Sequence, residues 1–381
     1  MTTGTIEAPR SDEALVLGAL RANINRIDNQ LIELLAQRGK VAADIGLAKR
    51  VTGRPIHDPQ RESTHAAELE EAASRMGLPA RLGRELALLL ARHGCAAQLD
   101  QPKAPRARGI APDSESFRLA RWEPGRHTVV SIGEAQIGAG LHEVIAGPCA
   151  VESERQIHDA ADHARACGVR ILRGGAFKPR TSPYDFQGTG MQGVRWLADA
   201  AHSRGMACVT EVLDPSDATA VAEHADLLQI GARNMQNVPL LRACAATGRP
   251  ILLKRGAAAT IRELLCAAEY ILLAGNPHVI LCERGLRTFE RETRNTLDLS
   301  SVPVLRELTH LPVIVDPSHA AGRDELILAL CRAAHAVGAD GAIVEMHPRK
   351  CEAKCDQRQA LTPGQLGKIC NEVHLVQMHL A

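Results

Sequence analysis

The sequence predicts an α/β protein, in which a (β/α)8 barrel of the TIM-barrel type follows an all-α domain of three helices. Two observations predict this class. The hydrophobic pattern has a helical period up to about residue 100, and after His127 it changes to short apolar runs that alternate with helical segments. Eight βα units in roughly 240 residues are typical of this barrel. The runs are residues 142–149, 169–175, 206–212, 227–233, 251–256, 278–285, 311–319 and 341–347.

The runs are almost continuously apolar, as expected for parallel strands that are covered on both faces. Before the first run, TVVSIGEAQIGAG (128–140) predicts a β-hairpin that closes the barrel floor. We assign residues 127–381 to the barrel with its hairpin. Residues 101–126 are polar and proline-rich without periodicity, and they predict a linker.

The all-α domain, residues 12–100, is predicted from a heptad row of apolar side chains that is interrupted only at Arg38. The row predicts a helix of about 35 residues that needs a partner to cover it. A turn at 53–55 ends this helix, a second helix begins after Asp58-Pro59, and a third covers residues 82–98. The row consists of Leu17, Leu20, Ile24, Ile27, Leu31, Leu34, Val41, Ile45 and Ala48.

Composition excludes several classes of function. The 45 basic and 44 acidic side chains give a net charge of +1, which argues against nucleic-acid and membrane-surface partners. No stretch reaches the ~18 apolar residues of a membrane helix. The eleven cysteines form no short, regular framework and the N-terminus has no apolar signal region, so we expect a cytoplasmic protein with reduced thiols.

The ends of the eight runs carry an unusual set of polar side chains, at the side where such barrels place their chemistry. Taken singly, each has a plainer explanation, such as a cation on the rim or a small cysteine in the core. Together, five cations and four potential metal ligands at one mouth indicate substrates with phosphate and carboxylate groups. The set is Cys149, Arg173, Lys178, Glu211, Arg233, Lys254, Arg284, His319 and Glu345.

Cys149, His319 and Glu345 offer sulfur, nitrogen and oxygen donors, a mixture that suits a divalent metal such as Mn, Fe, Co or Zn. A fourth ligand is expected soon after Glu345. We favour Asp356 over Glu352, because Asp356 has the longer loop with which to reach the site. An alternative is a separate zinc site made of His347, Cys351 and Cys355.

From about His127 onwards, several long motifs resemble the 3-deoxy-D-arabino-heptulosonate 7-phosphate (DAHP) synthases of the type I-beta branch. They are Ala146-Gly147-Pro148-Cys149, residues 172–182 (LRGGAFKPRTS), Ile230-Gly231-Ala232-Arg233-Asn234, Leu253-Lys254-Arg255-Gly256, Cys282-Glu283-Arg284-Gly285 and Asp316-Pro317-Ser318-His319.

This resemblance implies a shikimate-pathway enzyme of aromatic amino acid biosynthesis that condenses phosphoenolpyruvate with erythrose 4-phosphate. It implies a divalent metal bound by Cys149, His319, Glu345 and Asp356. It assigns phosphoenolpyruvate to Arg173, Lys178, Arg233, Lys254 and Arg284, with Lys178 also catalytic, and the aldose phosphate to Arg180 and Thr181.

The sister enzyme 3-deoxy-octulosonate 8-phosphate synthase, which uses arabinose 5-phosphate, is the alternative. It carries Lys-Ala-Asn-Arg-Ser where this chain has residues 178–181 (KPRT), and the shorter loop favours the four-carbon aldose. The chain departs from the DAHP synthase pattern Ala-Leu-Ser-Asp-Gly-x-Gln at residues 353–359 (AKCDQRQ). Asp356 and Gln359 match the pattern, but the glycine is missing and Cys355 adjoins the predicted ligand, which leaves the identity of the metal open.

In the helical domain, Arg38 and Lys49 lie three turns apart on one face of the first helix, ~16 Å along its axis. Arg21 is ~25 Å from Arg38 on the same helix, so it could share a small ligand only from a second, antiparallel copy. The plainer alternative is an amphipathic dimerisation helix with solvated cations. We expect a homodimer or a homotetramer.

The pattern over residues 12–100 also resembles the all-helical chorismate mutases, with Gly94 where some members have serine. The resemblance implies rearrangement of chorismate to prephenate, in which cations bind the two carboxylates while Glu62 and Gln98 contact the ether oxygen and hydroxyl side. The alternative is a non-catalytic sensor of chorismate or prephenate that regulates the barrel. The matching residues are Arg21, Arg38, Lys49, Asp58, Arg61, Glu62 and Gln98.

Overall fold

The protein is represented by a computed structural model, which describes residues 11–51, 59–99, 117–140, 142–180 and 182–380. The chain divides into two compact units, one helical and one a barrel, between Arg108 and Gly109. Within the described ranges, no helix is both long enough and apolar enough to cross a membrane.

The described part of the helical unit forms three helices, which confirms the prediction. They are α1 Ser11–Val51, α2 Pro59–Arg75 and α3 Ala80–Leu99. Helix α3 contacts both α1 and α2. After α2 the chain turns at Gly77, which has a left-handed φ of 76°, and Leu78 N donates to Ala73 O at 2.9 Å. A Cβ atom at Gly83 would clash with Leu69 O, so glycine is needed for α3 to approach α2 this closely.

The predicted apolar row of α1 is exposed on this unit. Seven of its side chains have between 47% and 60% of their surface accessible. The neighbouring Ala42 is buried, so α1 packs against α3 through a different stripe from its apolar row. The seven residues are Leu20, Ile24, Ile27, Leu31, Leu34, Val41 and Ile45.

The second unit is a closed barrel of eight parallel strands, in which each strand pairs with the next and the last pairs with the first. This confirms the predicted fold class. An antiparallel hairpin, β1 Val130–Ile132 with β2 Ala135–Ile137, precedes it. The barrel strands are β3 Glu143–Gly147, β4 Ile171–Arg173, β5 Ala207–Glu211, β6 Leu227–Ile230, β7 Ile251–Lys254, β8 Val279–Glu283, β9 Val313–Val315 and β10 Gly341–Glu345.

At least one helix follows every barrel strand, and several begin at capping residues. The Ser153 side chain accepts from Gln156 N, and Thr260 and Glu263 form a capping box. The helices are α4 Glu154–Ala166, α5 Gly190–His202, α6 Ala218–Ala222, α7 Val238–Ala246, α8 Ile261–Leu273, α9 Ser301–Leu308, α10 Pro317–Ala321, α11 Ile327–Ala336 and α12 Pro363–Leu380.

Two apolar clusters divide the strand residues between the faces of the sheet. In β3, Val144 belongs to the cluster under the helices, whereas Ile145 belongs to a smaller cluster inside the barrel. The hairpin adds Val130, Ile132 and Ile137 to the inner cluster, all almost fully buried. The hairpin therefore fills one end of the barrel, and the polar chemistry is left to the other end.

Residues 117–126, which the sequence places in the linker, pack against the barrel instead. Phe117 and Ala120 are buried in the outer cluster. The carboxylate of Glu269 on α8 accepts backbone hydrogen bonds from residues 118–120 at 2.8–3.0 Å, and Trp122 N donates to Leu308 O. The linker therefore ends earlier than predicted, because backbone hydrogen bonds fix a segment that has no hydrophobic period. Residues 101–116 lie outside the described ranges.

We expect Glu269→Ala to lower the free energy of unfolding of the barrel by about 2–4 kcal/mol, because three backbone N–H groups, that of Ala120 buried, lose a charged acceptor. Urea denaturation of the whole protein measures this change. Glu307→Ala, an exposed glutamate on α9, is the matched control and should stay within about 0.5 kcal/mol of wild type. Equal stability of the two variants would contradict the anchoring role of Glu269.

Candidate active site

The predicted site residues of the barrel stand where apolar strands end. Arg173, Lys254 and Glu345 are the last residues of β4, β7 and β10, and all three are buried. Cys149 follows the end of β3 by two residues, and His319 lies in α10 directly after β9. Because the carboxyl ends of parallel strands open on one side of a barrel, these side chains converge there.

The structure brings the four predicted metal ligands together. One donor atom from each of Cys149, His319, Glu345 and Asp356 lies within 4.8 Å of all the others. Asp356 has a left-handed φ of 52°, and Arg294 Nη1 donates to its Oδ1 at 3.1 Å.

The competing fourth ligand lies elsewhere. The Glu352 carboxylate is exposed and accepts from Arg349 Nε at 2.7 Å. Of the four potential ligands at the strand ends, Glu211 is also outside the group, and its Oε2 accepts from Gln229 Nε2 at 3.3 Å.

His319 is oriented as metal-binding histidines usually are. Its Nδ1 hydrogen-bonds to Asp316 Oδ2 at 2.7 Å, which leaves Nε2 pointing at Glu345 Oε1, 3.1 Å away. Burial lowers the pKa of His319, which favours the neutral imidazole that a metal requires. Burial alone would raise the pKa of Asp316, but His319 and Lys254 hold it well below its usual range.

The Glu345 carboxylate is fully buried, and only one of its two oxygens accepts a well-directed hydrogen bond. Its Oε2 accepts from Gln359 Nε2 at 2.6 Å. Its Oε1 accepts no well-directed hydrogen bond, although Arg173 Nη2 lies 3.2 Å and His319 Nε2 3.1 Å away. A buried anionic oxygen without a directed partner fits a cation, and the S/N/O donor set is one that divalent transition metals accept.

Two sulfur atoms lie in contact beside this group. Cys149 Sγ is 3.1 Å from Cys355 Sγ and 3.3 Å from Asp356 Oδ2. Lys178 Nζ donates to Cys149 Sγ at 3.1 Å, and Arg180 Nη2 donates to Cys355 Sγ at 2.8 Å. The predicted metal ligands and both cations of the Lys-Pro-Arg segment therefore meet at the sulfur pair.

The pKa values of the two cysteines are shifted in opposite directions. The hydrogen bond between the two sulfurs, together with burial, raises the pKa of Cys149, and the same hydrogen bond lowers the pKa of Cys355 to about 7. Burial alone would lower the pKa of Lys178, but Cys149 and Cys355, with Glu211 and Glu345, raise it. The Lys178 ammonium therefore stays protonated at neutral pH.

Other cations at the mouth have donors to spare. Arg173 Nη1 is buried without a hydrogen-bond partner. Arg284 makes no hydrogen bond or ion pair with any residue that the structure describes, and burial lowers its pKa. Arg233 is exposed, and its Nη1 donates to Pro179 O. The unpartnered Nη1 of Arg173 and the half-buried guanidinium of Arg284 therefore have N–H donors that an anion from solution could accept from. The predicted contact Thr181 lies outside the described residues.

Sequence reasoning missed three residues that position the site. Asp316 links His319 to Lys254, Gln359 holds Glu345, and Arg294 Nη1 donates to both Asp356 and Gln359. The available signal was the Asp316-Pro317-Ser318-His319 motif, in which the aspartate also caps α10 by accepting from His319 N. Gln359 matched the family pattern at residues 353–359, whereas nothing in the local sequence signals the role of Arg294, because its partners are distant along the chain.

The alternative zinc site is not assembled. Cys351 is exposed, Cys355 contacts Cys149, and His347 Nε2 lies 3.9 Å from Glu152. Within the described ranges, one further group of potential ligands occurs, far from the mouth near the start of β5 and β6. It consists of His202, Cys208 and Asp226, in which the histidine and aspartate are already paired at 2.8 Å.

In the helical unit, Arg38 reaches α3, where its Nη1 donates to Leu90 O at 2.9 Å. A Cβ atom at Gly94 would lie 3.4 Å from this nitrogen, an ordinary van der Waals contact, so a small side chain would also fit beside the guanidinium. Lys49 and Glu62 are half-buried, whereas Arg21 and Arg61 are exposed. Asp58 and the side chain of Gln98 lie outside the described residues.

Comparison with known proteins agrees with this division of the chain. Residues 126–379 match the model of the DAHP synthetase I family, and residues 20–99 match the chorismate mutase type II model. A phospho-2-dehydro-3-deoxyheptonate aldolase of Thermotoga maritima is 53% identical over 234 residues, which cover 61% of this chain and 69% of that relative. The crystal structure of the T. maritima DAHP synthase superposes with a TM-score of 0.67 at 46% identity, covering 72% of this chain and 79% of that one.

The sister group is more distant. A 2-dehydro-3-deoxyphosphooctonate aldolase of Acidithiobacillus ferrooxidans is 31% identical over 249 residues, which cover 60% of this chain and 88% of the relative. The first match is therefore much stronger, and it agrees with the matched family model. The chain belongs to the DAHP synthetase I family and carries a chorismate mutase type II domain before its barrel.

Proposed function

We propose that the barrel condenses phosphoenolpyruvate with erythrose 4-phosphate to form DAHP and phosphate, with a divalent metal held by Cys149, His319, Glu345 and Asp356. The observation that carries the proposal is the charge at the mouth. A buried anionic oxygen of Glu345 lacks a directed partner, and it lies beside the buried Arg173 and the half-buried Arg284, which both have N–H donors to spare. A metal would pair with the Glu345 oxygen, and a phosphorylated carboxylate would pair with the cations.

In the proposed reaction, C3 of phosphoenolpyruvate attacks the aldehyde carbon, water adds at C2, and phosphate leaves by C–O cleavage. When bound, the metal supplies Lewis-acid polarisation of the aldehyde oxygen. Arg173, Lys254 and Arg284 bind the charges of phosphoenolpyruvate and favour the charge that develops near C2. Lys178 carries a proton at Nζ, 3.1 Å from Cys149 Sγ, where it is placed to neutralise the new alkoxide.

The aldose phosphate would meet Arg180, whose Nε donates to Phe186 O at 2.9 Å while Nη2 donates to Cys355 Sγ. These two bonds fix the guanidinium at the mouth and leave Nη1 for a phosphate. Thr181 is proposed as a further contact of the aldose phosphate, and Arg233 as a further contact of phosphoenolpyruvate. The short segment at 178–181 supports the four-carbon aldose over arabinose 5-phosphate.

We expect Cys149→Ala to abolish DAHP formation without unfolding the barrel, because it removes the sulfur ligand of the metal. Chelation of wild type with EDTA should have the same effect, and added Mn²⁺ or Co²⁺ should restore activity. Cys331→Ala, another buried cysteine, controls for loss of a core thiol. Assays with erythrose 4-phosphate and arabinose 5-phosphate measure both candidate reactions, and full activity of Cys149→Ala or of metal-free enzyme would refute the metal role.

We propose that the helical domain rearranges chorismate to prephenate at sites that two chains build together. Arg38 and Arg21 lie on one uninterrupted helix, α1, ~25 Å apart, so they cannot contact the same small molecule within one chain. The exposed apolar row of α1 supports a second copy, since covering each half-exposed side chain contributes on the order of 1 kcal/mol. Lys49, Glu62 and Gln98 would complete the site, with Asp58 and Arg61 nearby. Such a site would hold a compact conformer of chorismate and favour charge on the breaking ether bond.

We expect Arg21→Ala and Arg38→Ala to be inactive as mutases when assayed alone. After subunit exchange, heterodimers should regain one intact site of two, which gives roughly a quarter of wild-type activity in an equal mixture. Arg26→Ala, an exposed arginine on the same helix, is the control and should stay active. Verified exchange without any recovery of activity would exclude a shared site.

The helical domain is also proposed as a sensor of chorismate or prephenate that inhibits the barrel, since a late intermediate of the pathway would then control its first step. A coupling of about 1–3 kcal/mol is typical of such control and must be reciprocal for binding. The simpler alternative is a fusion in which the two activities are independent.

We expect prephenate to inhibit the synthase reaction of the whole chain. The apparent affinity for the synthase substrates should fall by roughly 5–150-fold. A truncated chain should be insensitive, and it should begin before Phe117 so that the segment anchored by Glu269 is kept. Synthase kinetics with and without prephenate measure this. Equal inhibition of both chains, or of neither, would remove the helical domain as the sensor.

A further inference from the structure

The contact between Cys149 and Cys355 has no use in the proposed reaction. The two residues are 206 positions apart, and they retain only 4% and 5% of their surface exposure. Their sulfurs lie 3.1 Å apart with neither cysteine in a disulfide, and Phe186 packs beside them. The sulfur of Cys355 is not a member of the four-donor group, although it touches one member of that group.

We propose that Cys149 and Cys355 form an oxidation site, at which a peroxide or a low-molecular-weight disulfide converts the pair to a disulfide and thereby removes the metal site. The inference rests on the proposed role of Cys149 as a ligand. A peroxide transfers one oxygen to either sulfur to give a sulfenic acid, the other sulfur attacks it, and water leaves. A small disulfide instead exchanges in two steps and departs as two thiols.

The geometry requires little movement. A disulfide needs an S–S distance of about 2.05 Å, so the sulfurs must approach by about 1 Å. Cys149 is held at the end of β3, whereas Cys355 lies in a loop between the short turns Lys350–Glu352 and Gln357–Gln359. Asp356, the next residue, lines a cavity of about 500 Å³, so the cavity reaches the residue beside Cys355.

Oxidation would disable more than one part of the site. It removes the Cys149 sulfur as a ligand and pulls on Asp356, the residue next to Cys355, so two of the four proposed ligands are affected. Arg180 also loses a sulfur that can carry a negative charge, 2.8 Å from its Nη2. Because a metal needs the reduced sulfur, metal and disulfide are mutually exclusive, and bound metal should protect the pair.

The test uses the full-length protein in four forms, namely wild type, Cys355→Ser, Cys351→Ser and metal-loaded wild type. Cys351 is exposed in the same loop and is the matched control. Each form is treated with hydrogen peroxide or oxidised glutathione, and the metal-free forms are treated after chelation. Peptide mass spectrometry then detects cross-linked peptides. Binding of Co²⁺ is followed by its thiolate charge-transfer absorption, before and after dithiothreitol.

We expect a Cys149–Cys355 linked peptide in metal-free wild type and in Cys351→Ser, but little of it in the metal-loaded protein. Co²⁺ affinity should fall by more than about tenfold on oxidation and recover with dithiothreitol, whereas Cys355→Ser should keep its Co²⁺ binding. Absence of the linked peptide in wild type, or equal loss of Co²⁺ binding by wild type and Cys355→Ser, would overturn the proposal.

The linked peptide is measured on wild type, so the result does not depend on the stability of a variant. Failure of reduced wild type to bind Co²⁺ would refute the metal role of Cys149 instead. The two proposals can therefore fail separately.

Discussion

The buried carboxylate of Asp316 holds together two parts of the barrel mouth. It accepts from Lys254 Nζ, hydrogen-bonds to His319 Nδ1, and caps the helix on which His319 lies. A fully buried charge is tolerated only when it is paired and hydrogen-bonded, so both partners have a fixed place. One carboxylate thus sets the ring orientation at the proposed metal site and holds the Lys254 side chain in the place where a substrate phosphate would bind.

Most of the buried charges at the barrel mouth are paired with one another, but the protein does not supply a partner for every charged group there. Lys254 pairs with Asp316, Arg255 pairs with Glu283, and Arg173 shares Glu345 with His319. Each pair offsets desolvation that would otherwise cost several kcal/mol per ion. The cationic and anionic groups that remain without a full set of partners are the ones that the proposed substrates and metal would bind. The inner apolar cluster and the hairpin exclude such groups from the opposite end.

The fold follows from the sequence because its period changes once and its strands end in polar residues. The four donors could be selected because each follows an apolar run or, for Asp356, the loop after the last run. The anchoring of residues 118–120 by Glu269, some 150 positions away, has no local signature. The sulfur contact across 206 positions is equally invisible, since it depends on where a loop returns to the barrel. Local patterns predict elements and their ends, whereas distant hydrogen bonds decide which side chains meet.

The two units differ in how much of a site one chain can build. In the barrel, strands from the whole circle bring their ends to one mouth, so a single chain supplies every proposed ligand. In the helical unit, α1 is one continuous helix of 41 residues, and it separates Arg21 from Arg38 by ~25 Å. Its apolar row remains exposed in one chain for the same reason, since a long helix cannot fold back on itself. The proposed pairing of two chains would therefore serve both stability and chemistry in the helical unit.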